Sequence, residues 1–556
     1  MFTMIDVVGG AGTVPEYTRG AFGDPCLRAR EHIAWLLRVN RIFGPDEGFA
    51  RASVFATAFC GGCWPGTANE SKVSRWETAA LRVPYQAIRR YEELLGLRPG
   101  LIAASAETIH GYYCPDPGCP GWDGWSLPRH EPVPVGRISE LIDKARSDDV
   151  MTGQDWDEVT REISAVPFFF ISPGSTWAAL AERLLQEQIV SDGVAWMQRF
   201  GALVRLLGHP VGQQPAIAAC ASLAADRANQ VGIEVICALD VTGHPDASYH
   251  VLGQLACPTS DQTFYGALLA CVRKVARGHF TAEQISYLAS VVTSLLDDPV
   301  RHDDARTLAA SLLRQMPNGM PPGVAAKLRR SLAGDEVLSR VVTTGRLASE
   351  RHAAGFVRRV VSAATVRMPR EGPWLYDETL AALVDEMLYS PVSDVRLYAA
   401  VAIQATPYRE PVAAALGTEL VRIAAAAHTD LAVCIMDALR LLGGAQQRPI
   451  LERFTLNAGL PQPVVASAAR NIGHLGGTSD DRYWLRAVEL QSQLSQRHGS
   501  AEGSATLRGL VYGLGMARND PLLTRIRDRP EMPTQARAAA SWWLSHPQRI
   551  RRSALV

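Results

Sequence analysis

Lysine is nearly missing from this 556-residue chain. It stands only at positions 72, 144, 274 and 327, so arginine carries almost all of the positive charge, a bias that GC-rich coding produces and that says little about function. The formal net charge is zero, so any nucleic-acid-binding surface has to come from a locally basic region. No window holds the roughly 20 uninterrupted apolar residues of a membrane span. The first ten residues lack the basic start and apolar core of a secretory signal, and the expected location is cytoplasmic, with no membrane partner. Ten cysteines make no disulfide framework at this length. Five of them, Cys220, Cys237, Cys257, Cys271 and Cys434, lie in apolar helical runs and are expected to be buried thiols acting as small hydrophobes.

Catalytic signatures are missing too. The histidines are dispersed without a His-Glu-x-x-His array, and the pair His244 and His250 reads as a turn feature. Gly9-Gly10-Ala11-Gly12-Thr13 lacks the Gly-Lys-Ser/Thr ending of a phosphate loop. No Ser-His-Asp or paired-carboxylate arrangement has distinguishing context, so neither an enzyme nor a cofactor is expected. Convincing strand alternation is scarce.

What remains is helix. Apolar residues make up 47% of the chain and its length exceeds what one core supports, so several domains or a repeat array are expected. Residues 1–27 are Gly-rich and aperiodic, reading as a flexible arm. Residues 28–113 carry amphipathic helices, and residues 114–136 form a Pro/Gly-rich linker with Trp122 and Trp125. From 137 to 556 helices follow one another with short Gly, Pro and Asp punctuation. Phe168-Phe169-Phe170-Ile171 reads as core, Ser147-Asp148-Asp149 as a solvated helix end, and the basic Arg549–Arg552 cluster as a solvated or helix-dipole-compensating tail.

Self-similarity is clearest late in the chain. Helices opening at Asp394, Asp430 and Gln462 each carry small residues on one face, and their starts are 36 and 32 residues apart. Degenerate earlier copies start near Pro215, Asp261 and Asp304. This period resembles HEAT-type repeats, in which small alanines let neighbouring helices pack closely into one continuous core. The expected fold is all-α: an N-terminal helical domain followed by a large α-solenoid, with an irregular Ala-rich bundle as the alternative.

The most informative segment is Asn69 to Thr78. Val73 and Trp76, at i and i+3, fall on one buried face, leaving Ser71, Lys72, Ser74 and Arg75 outside; Asn69 is a suitable N-cap and Pro84 marks the break before the next helix. Short polar and basic side chains on an exposed helix reach base edges and phosphates. The run Val73-Ser74-Arg75-Trp76-Glu77, between helices at 28–43, 49–59, 85–95 and 101–113, resembles the recognition helix of the Cro/lambda-repressor-like (Xre) helix-turn-helix family, of the actinobacterial type. One departure is the enlarged turn Cys60 to Ala68, where that family has only a few residues. From Arg28 to Gly100 there are eleven Arg and Lys against seven Asp and Glu, the local surplus such a domain needs.

The resemblance implies a transcriptional regulator that binds a palindromic operator in double-stranded DNA as a homodimer. Asn69, Glu70, Ser71, Lys72, Ser74 and Arg75 stand at the DNA, and Arg82 serves as a phosphate clamp. The helical repeats are then the place for dimerisation, or for contact with RNA polymerase or a small-molecule effector. The rival expectation is a solenoid adaptor whose small domain docks protein. Cys60 and Cys63, with Cys114 and Cys119, form the only metal-like constellation; the alternatives are structural zinc and unpaired thiols.

Overall fold

The computed structural model describes residues 25–64, 66–114, 135–166, 168–298, 303–316, 332, 334–370, 376–425, 428–498 and 501–556. Among these the chain forms 28 α-helices and no β-strand, as expected of an all-α protein. No described helix is long and apolar enough to cross a membrane. Residues 1–24 of the expected arm (1–27), Cys119, Trp122 and Trp125 lie outside the described residues, and residues 25–27 open the first helix instead of belonging to an arm.

Five helices open the fold: α1 (Pro25–Phe43), α2 (Ala52–Phe59), α3 (Glu70–Glu77), α4 (Tyr85–Leu94) and α5 (Leu101–Tyr113). They enclose a small core of their own, in which Ile33, Leu37, Phe55, Phe59, Val73, Trp76, Ile88, Tyr91 and Ile102 are buried together. Their packing follows from amphipathic periodicity: each helix turns one apolar stripe inward.

Beyond them the helices pair and stack. The inner helices Ser393–Gln404, Thr429–Leu442, Gln462–Asn471 and Ala501–Met516 pack in succession, each followed by a partner, Arg409–Ala425, Arg448–Thr455, Asp481–His498 and Asp520–Asp528. The three expected repeat starts fall within one residue of observed helix starts, and Ala501 adds a fourth. Small residues allow the close stacking: a Cβ on Gly513 would sit 3.1 Å from the Ala469 carbonyl oxygen and from the Trp484 ring. The earlier copies expected near Pro215, Asp261 and Asp304 coincide with helices Gln213–Ala225, Asp261–Ala276 and Asp303–Gln315.

The two parts are joined by α1 and α5, which face both cores. Trp35, Leu36, Val39 and Phe43 of α1 and Ile109 and Tyr113 of α5 belong to the large core. Polar contacts reinforce the joint: Trp35 Nε1 donates to Asp377 (2.9 Å), Asn40 Nδ2 to the Ala405 carbonyl (2.7 Å), and Arg28 pairs with Glu386 (3.2 Å). On the other flank, Glu107 of α5 pairs with both Arg161 and Arg205.

Several sequence expectations are corrected. Of the two readings of Arg549–Arg552, the helix-dipole one stands, with Arg551 and Arg552 in the last turn of helix Gln548–Ser553, while the solvated one is corrected: Ile550 is fully buried, Arg549 pairs with Asp148 (2.9 Å), Arg551 pairs with Asp520 (2.5 Å), and the Gly153 amide donates to the Val556 carbonyl (3.0 Å). Ser553, whose Oγ accepts from the Met151 amide (3.0 Å), and Val556 find partners at residues 151–153, which periodicity cannot reveal. In the run Phe168 to Ile171 only Ile171 is buried, whereas Phe168 and Phe170 are each 85% exposed. The segment lies outside any helix, with Phe168 in a turn whose Phe169 amide donates to the Val166 carbonyl (3.0 Å), so its side chains do not gather on one helix face. Of the five cysteines expected inside, Cys257 is exposed, because it caps a helix end instead of lying within one. Of the pair expected in a turn, His244 is at the helix start, its Nδ1 accepting from the Asp246 amide, whereas His250 lies within helix Pro245–Ala256.

The joint contains histidines that burial keeps neutral. In α1, burial lowers His32 to about 3, with Arg28 adding to the effect; in α5, burial lowers His110 to about 4, with Arg82 adding to it. A group with a depressed folded pKa binds fewer protons folded than unfolded, so this stability is present above pH 6.5 and is lost as pH falls toward 3–4. Thermal melts from pH 7 to pH 4 should show a steep loss of stability, of which His32→Leu removes on the order of 3 kcal/mol at pH 4. An unchanged pH slope in that variant would count against the assignment. Asp394 works in the opposite sense: burial pushes its carboxyl up to about 7, so it takes up a proton in the folded state between pH 7 and 4.

Candidate nucleic-acid interface

The outward face of α3 is positioned by what lies beneath it. Asn69 caps the helix, its side-chain oxygen accepting from the Lys72 amide (2.8 Å). Val73 and Trp76 are buried, and Phe59, Trp64 and Trp76 pack mutually with ring centroids 5.4–5.6 Å apart. At the C-terminal end Glu77 turns inward. Arg41 of α1 meets it as a two-pronged pair, Nε to Oε1 and Nη2 to Oε2, both 2.7 Å. The remaining Arg41 nitrogen donates to the Phe49 and Ala50 carbonyls, and the Tyr91 hydroxyl donates to Glu77 (3.0 Å). Burial opposes the Arg41 charge, but the bond to Glu77 and its negative charge prevail and raise the Arg41 pKa. Packing and a buried ion pair thus fix both the roll and the tilt of α3 relative to α1.

The expected contact residues are placed unevenly. Asn69, Glu70, Ser71, Ser74 and Arg75 are exposed on one continuous surface. Arg75 makes no ion pair among the described residues. Lys72 departs from the expectation: its Nζ folds back to donate to the Thr67 carbonyl (3.2 Å) and lies 5.1 Å and 5.4 Å from the ring centroids of Trp64 and Trp76. The enlarged turn is the physical reason, because it delivers Trp64 to the core edge and a cation over an indole face is held there. Arg82 is half-buried near His110, farther back than a free phosphate clamp.

The turn is built by glycine. Gly61 and Gly62 have φ of +99° and +59°, and a Cβ on Gly62 would lie 2.0 Å from the Arg90 guanidinium. Cys63 is held by its amide, which donates to Glu93 (3.2 Å), and burial together with Glu93 raises its thiol pKa. The zinc expectation gains no site: Cys60 and Cys63 are exposed on the turn, Cys114 is buried in the large core, and these described members do not gather as a metal-holding group.

Sequence reasoning missed a second feature. A cavity of about 830 Å³ opens between the repeat helices and the helices Gly193–Gly208, Gly232–Cys237 and Asp261–Ala276. Arg396, Arg440, Arg470 and Arg508, one from each inner repeat helix, line it. Their recurrence was the available signal, hidden because a lone arginine per helix reads as solvated surface. Compared with protein families and with curated proteins, the sequence matches none.

Proposed function

We propose that this protein is a sequence-specific DNA-binding transcriptional regulator of Xre type, acting as a homodimer on a palindromic operator. The observation that carries the reading is the exposed Ser71, Ser74 and Arg75 face of a helix whose other face is locked by Val73, Trp76 and the Glu77–Arg41 pair. A rigidly held helix with short polar side chains and one free guanidinium suits the major groove, where Arg donates twice to guanine O6 and N7. One such helix reads too few base pairs for useful selectivity, hence a dimer on half-sites about 34 Å apart.

Selection of bound genomic fragments, followed by titration on the recovered site, tests the reading. Arg75→Ala should weaken specific binding by about 1–3 kcal/mol and leave the fold intact. Lys72→Ala should cost less, since Lys72 is engaged with Trp64 and Trp76. Failure to enrich any sequence, or an Arg75→Ala titration matching wild type, would sink it. The adaptor reading has one observation in its favour, the adjacent exposed rings of Phe168 and Phe170. A partner captured by wild type and lost with Phe168→Ser and Phe170→Ser would support that role.

A further inference from the structure

Two of the cavity arginines, Arg440 and Arg470, lie at Tyr512. The Arg470 guanidinium lies 4.2 Å from the Tyr512 ring centroid. Arg508 precedes Tyr512 by one helical turn, on the same helix face. Arg440 is within electrostatic reach of Tyr512, Glu234, Asp192 and Asp437, which hold its proton against the effect of burial. Tyr512 is itself fixed from behind: its hydroxyl meets His474 Nε2 (2.9 Å), and His474 Nδ1 meets Asp192 (2.8 Å). Among the described residues none of these three guanidiniums forms an ion pair within 4 Å.

Other arginines in this fold are paired with acids, as Arg41 is with Glu77 (2.7 Å) and Arg273 with Asp240 (2.8 Å). Arg440, Arg470 and Arg508 face this half-open cavity beside Glu234 and Asp437, and with five donors each and no ion pair within 4 Å among the described residues they can receive an oxyanion. Across the cavity, Trp196 and Phe200 stack on each other, 5.3 Å between centroids and nearly parallel, both half-exposed to it. Trp196 Nε1 donates to Glu234 (3.2 Å), which places this aromatic pair beside the arginines. The volume falls within the range of small-molecule sites.

We propose that this cavity binds a small anionic ligand with a phosphate or carboxylate group held by Arg440, Arg470 and Arg508 and a flat ring seated at Trp196 and Phe200. Nucleotides have this chemistry. The site also touches the joint with α5. Arg273, which lines the cavity, lies over Tyr112 (4.8 Å to the ring centroid), and Tyr398 packs on the same ring (4.4 Å). Arg277, beside Arg273, donates to the Gly111 carbonyl (3.1 Å). Occupancy is therefore coupled to the helix that carries the α1–α4 unit, a coupling that rests on the DNA-reading proposal, whereas ligand binding does not.

The test is calorimetric titration of the full chain with ADP, pyrophosphate and citrate. Saturable binding of ADP is expected, weakened about 10-fold or more by each of Arg470→Gln and Arg508→Gln in variants whose melting matches wild type. Trp196→Leu should weaken ADP and leave pyrophosphate unchanged. Lack of binding by all three probes, or equal binding by the arginine variants, overturns the site; citrate binding without ADP binding overturns the ring assignment. Operator affinity measured with and without ADP reads the coupling, and linkage requires ADP affinity to shift by the same factor when operator is present. ADP binding by a chain that enriches no DNA would leave the cavity standing and remove the DNA reading; operator binding by a chain that ignores all three probes would do the reverse.

Discussion

Glu77→Gln should unfold the α1–α5 unit and, on the DNA-binding proposal, abolish operator binding. The substitution keeps the shape of the side chain but removes the charge that neutralises Arg41, and both side chains are almost completely buried, 6% and 3% exposed. Removing one member of a buried pair leaves the other charge uncompensated, a cost of about 3–5 kcal/mol. That is a large part of what a five-helix unit with one small core has in reserve. The informative control is the double replacement Arg41→Met with Glu77→Leu. It removes both charges and should regain most of the lost stability, because apolar replacements of a buried pair are often neutral. Denaturant unfolding monitored by tryptophan fluorescence checks both. A single variant as stable as wild type, or a double variant no better than the single, would show that the pair does not hold α3.

The second large effect is expected at the other end of the chain. Arg199 is fully buried and spends its guanidinium on backbone and one acid: Nη2 donates to the Met151 (2.9 Å) and Ser553 (2.6 Å) carbonyls, Nη1 to Ala195 (3.2 Å) and Val556 (3.3 Å), and Nε to Glu187 (3.2 Å). Glu187, also fully buried, accepts further from Arg183 (2.9 Å) and Trp156 Nε1 (2.7 Å). One side chain thus fastens residues 553–556 to the first helices of the large domain. Arg199→Ala should cost about 3–5 kcal/mol, the loss for a broken buried pair with its carbonyls left unsatisfied. Arg199→Lys should rescue little, since an ammonium cannot span this planar set of acceptors. The readouts are the thermal midpoint and limited proteolysis, with cleavage appearing first near residues 546–556. A midpoint within one degree of wild type in Arg199→Ala would refute the clasp.

Much of the local organisation was written in periodicity. The i, i+3 placement of Val73 and Trp76 and the cap at Asn69 are found as read, and the small-residue helices at 394, 430 and 462 begin within one residue of expectation. These features are local: a helix face and a cap depend on neighbours three or four positions away, so the chain states them without knowing its own fold. The outward set on α3 was legible for the same reason, except at Lys72, whose position depends on a tryptophan eight residues earlier being carried back over the helix by the glycine turn.

Features built from distant parts of the chain were not legible. The Arg41–Glu77 pair, the clasp at Arg199 and the gathering of Arg440, Arg470 and Arg508 at one cavity each unite side chains that carry no local mark. An arginine in a helix reads as solvated surface until packing removes the water around it, and only tertiary structure decides that. The sequence alone therefore determined an all-helical chain, its repeat phase and the polar face of α3, because short-range spacing governs them. The tertiary structure decided which charges are buried and matched, how α1 and α5 join the two cores, and that a charged cavity lies beside that joint, because these follow from which helices meet.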